Sequence, residues 1–377
     1  MKVFGVKMSD RIKRIDPVLF GATSFLSIVS ILTILGSVEN FGRSKLIMQV
    51  AMTAVGILAV FLLANIDYRF FIDRFYIVMF LFSVAFLALT LLFGISGINI
   101  ETANKSWITI PGIGISIQPS EFVKITFLCT FSKHIDMVKD KVNRPLVLFG
   151  LLLHAGIIIG LILLSGDLGV ALVYLGVMLI MLFCSGLSGW YFLGMLVITV
   201  IAMPFLWELL RPYQQNRIIY GFQPELDPMG VGMQPLMSRE VIARGGFFGK
   251  GLFSDGMYEQ LTASHTDFIF ATVCEKLGFL GGALVVIALV LLTARLFYIG
   301  LRCRDTVGKL ICCGCASVII VQTLENLWMC LALVPVVGIT LPFMSAGGSS
   351  VLAIYALVGL AHSVSAHERK YNFSIEE

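Results

Sequence analysis

Runs of about twenty apolar residues recur along this chain, and that repetition leaves few folds open. Each run is long enough to cross a hydrocarbon layer ~30 Å thick. The runs fall approximately at 17–38, 46–65, 75–98, 119–137, 145–164, 167–185, 189–208, 267–294, 310–332 and 343–365. Inside lipid a backbone must satisfy its own hydrogen bonds, which only helices and closed barrels achieve. These runs are unbroken Leu, Ile, Val and Phe without the alternation of a barrel strand, so helices are expected. Composition agrees, with 58% hydrophobic and only 13% charged residues, against roughly 25% charged in a soluble domain. The expected fold is an all-α polytopic membrane protein of about ten transmembrane helices, a single membrane domain over 1–377. The fifth and sixth spans are separated only by Ser165, Gly166 and Asp167.

Positive charge orients the spans, because cytoplasmic loops carry an excess of Lys and Arg. With the N-terminus inside, the inner segments hold Lys2, Lys7, Arg11, Lys13, Arg14, Arg69, Arg74, Lys133, Lys139, Lys141 and Arg144. They continue with Arg295, Arg302, Arg304, Lys309, Arg369 and Lys370, whereas the short outer loops hold Arg43, Lys45 and Lys105. Both termini are therefore expected in the cytoplasm, over 1–16 and 366–377. Seven spans (17–208) and three more (267–365) flank one long extracytoplasmic loop, 209–266. That loop carries Arg211, Arg217, Arg239, Arg244 and Lys250, and long loops cross largely regardless of charge. A loop of this length is usually functional, and its Gly245–Gly251 stretch suits an ordered re-entrant or surface-lying segment. The basic N-terminus precedes an apolar run without a small-residue cleavage site, as expected of a retained first helix rather than a signal peptide.

The net charge of +4 is set by this topology and is no nucleic-acid footprint. The eight cysteines lie in apolar segments or inner loops, where a disulfide framework is not expected. Cys312, Cys313 and Cys315 lack a second ligand pair for zinc and read as small packing residues. No internal repeat is visible, which weakens an inverted-repeat transporter.

Ionisable groups within spans are costly, roughly 2.5–3.5 kcal/mol at a helix centre, and so are functional candidates. Four stand out: Glu121 and Lys124 in the fourth span, Asp167 opening the sixth, and Asp267 opening the eighth. Each also has a bland reading. Glu121 and Lys124, three residues apart, share a helical face and can form a structural ion pair. Asp167 and Asp267 can be helix caps. Their common location separates the readings, since all lie near the outer ends of their helices, close to Lys105 and Trp107. Such a cluster suits a polar head group whose lipid tail stays in the bilayer. Glu275 and Lys276 read as a packed pair, and Glu325 beside Asn326 stays open.

Several longer motifs then occur in order. They are Trp107 through Gln118-Pro119-Ser120-Glu121-Phe122-Val123-Lys124, then Asp167-Leu168-Gly169 and Asp227-Pro228-Met229-Gly230. Gly245-Gly246-Phe247-Phe248-Gly249-Lys250-Gly251 and His265-Thr266-Asp267-Phe268-Ile269-Phe270 follow. Last come Pro335 through Leu341-Pro342-Phe343 and Ser345-Ala346-Gly347-Gly348-Ser349. With these motifs, from about Asp16 to His367, the chain resembles the shape, elongation, division and sporulation family of membrane glycosyltransferases. RodA and FtsW are its best-known members, and the short N-terminus and Ile66-Asp67-Tyr68 lean toward RodA.

The resemblance implies polymerisation of Lipid II, a disaccharide-pentapeptide on undecaprenyl diphosphate, into glycan strands at the bacterial plasma membrane, with release of the lipid diphosphate. It implies an extracytoplasmic active face and a class B penicillin-binding protein, a transpeptidase, as partner. Asp267 matches the family's essential carboxylate and is the candidate general base. Glu121, Lys124 and Asp167 match polar residues of its central cavity, and Trp107 an aromatic of its first large outer loop. Departures are Thr262-Ala263-Ser264, where many members have Pro-Glu-x, together with Pro235 and Trp328.

Sugar transfer from a diphosphate needs a base near the acceptor hydroxyl and support for the leaving group. Lys124 is a candidate for that support, and Lys105, Arg217, Arg244 and Lys250 for holding diphosphates. A divalent cation would suit a diphosphate. No ligand set with metal spacing identifies one, so the metal question stays open at this point. Two rival readings are a flippase for lipid-linked precursors and a non-catalytic scaffold for the transpeptidase. Outward clustering of the polar groups disfavours the first, and intact polar motifs disfavour the second.

Overall fold

The computed structural model describes residues 15–94, 105–109, 116–209 and 212–373. The basic N-terminal residues Lys2 to Arg14, Arg211 and the end of the expected third span lie outside them. Ten long helices occupy the ten expected spans: α1 (Pro17–Leu35), α3 (Arg43–Ala64), α4 (Tyr68–Phe93), α5 (Pro119–Val138) and α6 (Pro145–Leu164). They continue with α7 (Leu168–Cys184), α8 (Gly189–Leu209), α11 (Ile269–Arg302), α12 (Thr306–Cys330) and α13 (Gly348–Phe373). One short turn, α2 (Val38–Phe41), links α1 to α3, and α9 (Pro212–Phe222) and α10 (Met233–Arg244) lie between α8 and α11. Among the described residues seven helices are long and apolar enough to cross a membrane, with α7 and Gly189–Phe205 of α8 as shorter apolar helices. The chain is thus a multi-pass helical membrane protein.

Local chemistry sets the helix starts. Asp16 accepts from the N–H groups of Val18 and Leu19 ahead of Pro17, Asp67 from Arg69, and Asp305 from Gly308. A side-chain oxygen there satisfies donors that the first turn leaves free. The Asp67 cap corrects the expected start of the third span from 75 to Tyr68. Likewise α11 runs on to Arg302, beyond the expected 294. In both cases charged turns prolong a helix past its apolar stretch, where hydropathy carries no signal. The last helix starts at Gly348 and not at 343, because Phe343 has φ 64° and belongs to the preceding turn.

Helices α12 and α13 form the centre. Of their apolar stretches 78% and 83% is enclosed, against 17% for α4, which faces outward. Helix α13 packs along α3, while α12 packs against α11, α7 and α5. Helix α5 is the polar member of this interior, burying Ser120, Glu121, Lys124, Thr130 and Ser132. Leu81, Leu92, Leu196, Ile198 and Phe205 form part of the apolar outer belt, as expected of a surface facing hydrocarbon. Cys312, Cys313 and Cys315 are fully enclosed within α12, and all eight cysteines are free thiols.

The segment 209–266 is ordered where described. Its Gly245–Gly251 stretch lies against a break in α11 at Gly278, whose φ of 70° and ψ of −170° interrupt the helix. Such a break strands backbone groups that need partners. The carbonyls of Gly246 and Phe247 accept from Phe279 and Leu280, and the N–H groups of Lys250 and Gly251 donate to Glu275 and Lys276. A Cβ at Gly249 would strike the Lys276 carbonyl, and one at Gly278 the Gly249 nitrogen. Glycine is required on both sides of this contact.

Candidate active site

The carboxylates picked out from the sequence converge at the end of the bundle that also carries segment 209–266. Asp167 stands immediately before α7 and accepts from Val170 N–H at 3.1 Å, so its cap reading holds. Its other oxygen accepts from Gln118 Nε2 at 3.0 Å, which ties the start of α5 to the start of α7. Glu121 and Lys124, both 2% exposed, form a buried ion pair at 2.7 Å. Tyr174 of α7 adds a 2.7 Å bond to the Ser120 carbonyl.

Asp267 sits two residues before α11, held by backbone contacts from a different part of the chain. Asn326 of α12 donates from one amide nitrogen to the carbonyls of Asp267 and Ile339, each at 2.7 Å. Ser345 donates to the Thr266 carbonyl at 2.7 Å, and Ala346 N–H to the His265 carbonyl at 2.9 Å. The turn after α12 therefore clamps the His265-Thr266-Asp267 segment. A Cβ on Gly338 in that turn would lie 3.5 Å from Asp267 Oδ2. One on Gly169, beside Asp167, would meet the Val337 carbonyl at 2.7 Å. Asp267 makes no cap bond of the kind Asp167 makes; α11 starts from Phe268, without a side-chain cap.

The electrostatics follow from crowding. Burial pushes the Asp267 carboxyl up to about 6, with Asp167's charge adding and the Thr266 hydroxyl opposing. Yet Asp267 keeps partial exposure, so it is enclosed by protein without being wholly cut off from the surface. Burial also raises Asp167, against its bonds from Val170 and Gln118, and Glu121's charge adds to the rise. A carboxyl near 6 is mostly ionised at neutral pH and close enough to it to accept a proton efficiently.

The other expected residues divide. Trp107 is half-buried and leads into a small hairpin, Ile108–Thr109 against Ser116–Ile117, just before α5. Lys105 is exposed, its N–H bonded to the Ser165 carbonyl near Asp167. Exposed Arg217 donates to the Val336 carbonyl at 3.3 Å, on the turn that also faces Asp267. Arg244 and Lys250 go elsewhere: Arg244 pairs with Glu240 at 2.7 Å, and Lys250 with buried Glu275 at 2.6 Å. Neither is brought to the cluster, because each serves the packing of segment 209–266.

Glu275 and Lys276 correct a second expectation, for they do not pair with each other. Glu275 also accepts from the N–H groups of Met257 and Tyr258. Lys276 donates to the carbonyls of Gly36, Leu252 and Ser254 and lies 4.5 Å from the Tyr258 ring centroid. Successive helical residues point about 100° apart, which is why neighbours in sequence find separate partners. Three residues without a site role in the sequence reading belong here: Gln118, named only within a motif, and Asn326, left open beside Glu325, as tethers, and Glu325, within electrostatic reach of Lys124 and Asp167. An Asn and a Glu inside an otherwise apolar span were the available signal.

A family model for the FtsW, RodA and SpoVE proteins, described as cell cycle protein, matches residues 14–370. The probable peptidoglycan glycosyltransferase FtsW of Trichlorobacter lovleyi is 33% identical over 87% of this chain and 86% of its own length. The peptidoglycan glycosyltransferase MrdB of Escherichia coli is 31% identical over 69% of this chain and 71% of its own. A chain from a solved peptidoglycan synthase complex, in which polymerization and crosslinking are coordinated, superposes with a TM-score of 0.81. That match has 28% identity and covers 94% of this chain and 98% of the other.

Proposed function

This chain belongs to the FtsW, RodA and SpoVE family and is a peptidoglycan glycosyltransferase, and we propose that it joins Lipid II units into glycan strands at the Asp267 crevice. The observation that carries this is one partly exposed carboxylate, held by its backbone and raised toward neutrality, among buried polar groups at one end of a membrane bundle. The undecaprenyl chain stays in the bilayer while the head group enters the crevice. Asp267 takes the proton of the acceptor sugar hydroxyl. The freed oxygen forms the glycosidic bond at the donor anomeric carbon as the bond from that carbon to the diphosphate oxygen breaks. The lipid diphosphate leaves with the bonding electrons.

Trp107 and Asp167 line the approach, and Gln118 keeps Asp167 in register. Lys124, held 2.7 Å from Glu121, offsets part of the negative charge of the carboxylates there. Lys105 and Arg217, exposed near its rim, are the cations for the diphosphates. Arg244 and Lys250, engaged in pairs of their own, are not assigned that role. Among the described residues no three His, Cys, Asp or Glu side chains could hold a metal ion. A divalent cation would arrive on the diphosphate and meet one or two carboxylates, Asp167 and Asp267 being the ones at hand.

The distribution of Lys and Arg in the sequence supports cytoplasmic termini and an extracytoplasmic crevice. The partner we propose is a class B penicillin-binding protein that crosslinks the strands. The test is polymerisation of purified Lipid II by detergent-solubilised chain with that transpeptidase, wild type beside Asp267→Asn. Long strands from the wild type and none from a folded, partner-bound variant are expected. Strands from both reduce Asp267 to a structural role. None from an otherwise active pairing sinks the polymerase reading and favours a flippase, to be assayed in liposomes.

A further inference from the structure

The wall of the site made by α5 and α12, where Glu121 and Lys124 are each 2% exposed and Glu325 is half-buried, is short of donors and rich in acceptors. Lys124 is the cation of this wall, and its hydrogen-bond acceptor is one oxygen of Glu121. An ammonium carries three protons, so two of them meet no acceptor among the described residues. The second oxygen of Glu121 is buried without a hydrogen-bond partner among the described residues, as are one oxygen of Glu325 and the amide oxygen of Gln322. Gln322 and Glu325 are three residues apart on α12 and share a face. Buried polar atoms normally find partners, and those left over concentrate where a ligand binds or reacts.

Glu325 is half-buried and within electrostatic reach of Lys124 and Asp167. It lies five residues before Cys330, the last of α12, hence about 8 Å below the helix end. Its neighbour Asn326 is committed to Asp267 and Ile339. Glu325 leaves the helix on another bearing and is free of that tether.

We propose that Glu325 is a substrate-binding carboxylate which, together with Lys124, grips a hydroxyl of the lipid-linked sugar. A hydroxyl both donates and accepts. Lys124 donates a hydrogen bond to the hydroxyl oxygen through one of its spare N–H groups, and Glu325 accepts the hydrogen bond that the hydroxyl donates. A diphosphate brings only acceptors and negative charge, so this wall repels it. The saccharide therefore faces α5 and α12, and the diphosphate turns toward the rim where Lys105 and Arg217 are exposed.

This inference rests on the polymerase reading, and its test separates the two. Steady-state polymerisation of Lipid II is measured for wild type, Glu325→Gln and Glu325→Ala, each as full chain with its transpeptidase and each checked by thermal melting. Removing a charged hydrogen-bond partner raises KM about tenfold in Glu325→Ala. In Glu325→Gln the amide oxygen still accepts, so KM rises only about threefold. In both, kcat stays within about twofold. An unchanged KM in both variants overturns the proposal, as does a fall in kcat at constant KM, which would place Glu325 on the reacting atoms or in the scaffold. If Glu325→Ala does not fold, the nearly isosteric Glu325→Gln decides alone. An inactive wild type under the same conditions strikes the polymerase reading instead.

Discussion

The two ends of the helix bundle are both polar, but they handle charge in opposite ways. At the end away from the crevice, acids and bases are matched. Asp16, 0% exposed, receives a two-pronged guanidinium from Arg295, with the shortest contact at 2.7 Å, while capping α1. Arg69 pairs with Glu368, Lys133 with Asp73, and Tyr68 donates to Asp305. At the Asp267 end, Glu121 and Glu325 face Lys124, Asp167 lies within electrostatic reach of Glu121, Asp267 and Glu325, and one oxygen each of Glu121 and Glu325 is left without a donor among the described residues. Buried charge that is paired and hydrogen-bonded belongs to the scaffold. Buried charge that the fold leaves unbalanced is held ready for something that is not part of the fold.

The contrast is sharpest in substitutions that separate activity from stability. Asp267→Asn should lower strand synthesis by about a thousandfold, in the range expected for a lost general base, with no loss of melting temperature. Asp16→Ala should do the reverse. Removing one partner of a buried pair together with a helix cap costs on the order of 3 kcal/mol. Thermal melting in detergent should show this, with turnover per folded molecule unchanged. A matching loss of activity would mean that the two ends are coupled.

Acid should also split the ends. Burial raises Asp16, but Arg295 and the Leu19 N–H outweigh it and hold the carboxyl below its usual range. Its contribution to stability is present above the unfolded value of roughly 3.9 and is lost as pH falls through the lower folded value. Asp267 stands at about 6 and Asp167 is raised, so the folded protein binds their protons more tightly than the unfolded chain does. Their contribution to stability should therefore grow as pH falls from 7.5 toward 5, while polymerisation declines through about 6 as the base is protonated. Asp267→Asn should remove the Asp267 share of that contribution, read as a changed slope of melting temperature against pH relative to wild type. The smallest effect belongs to Arg244→Ala, which breaks an ion pair 51% exposed on both sides. It should change stability by under about 0.5 kcal/mol and leave strand synthesis intact, whereas an Arg244 that bound diphosphate would not.

Ten spans were readable because apolar runs of about twenty residues have one use. Asp167 and Asp267 were readable because carboxylates there are costly and because their motifs resemble a family. The rest depended on packing. Glu325 joins the cluster only because α12 lies against α5 and α7, which no local pattern encodes. Arg244 and Lys250 looked like phosphate ligands in a loop taken as one unit. Their acidic partners, Glu240 one turn away on α10 and Glu275 across the α11 break, appear once that loop is folded. The charged extensions of α4 and α11 escaped because hydropathy measures fit to lipid, not helicity.

The break at Gly278 has a mechanical consequence. On one side stands a loop stitched by four backbone hydrogen bonds, Lys250 and Gly251 to Glu275 and Lys276, Phe279 and Leu280 to Gly246 and Phe247. On the other is the short first stretch of α11, with Asp267 at its head. Neither Gly249 nor Gly278 has room for a methyl group, so the joint has no slack. The position of the loop and that of the first turns of α11, with the carboxylate at their head, are therefore set together.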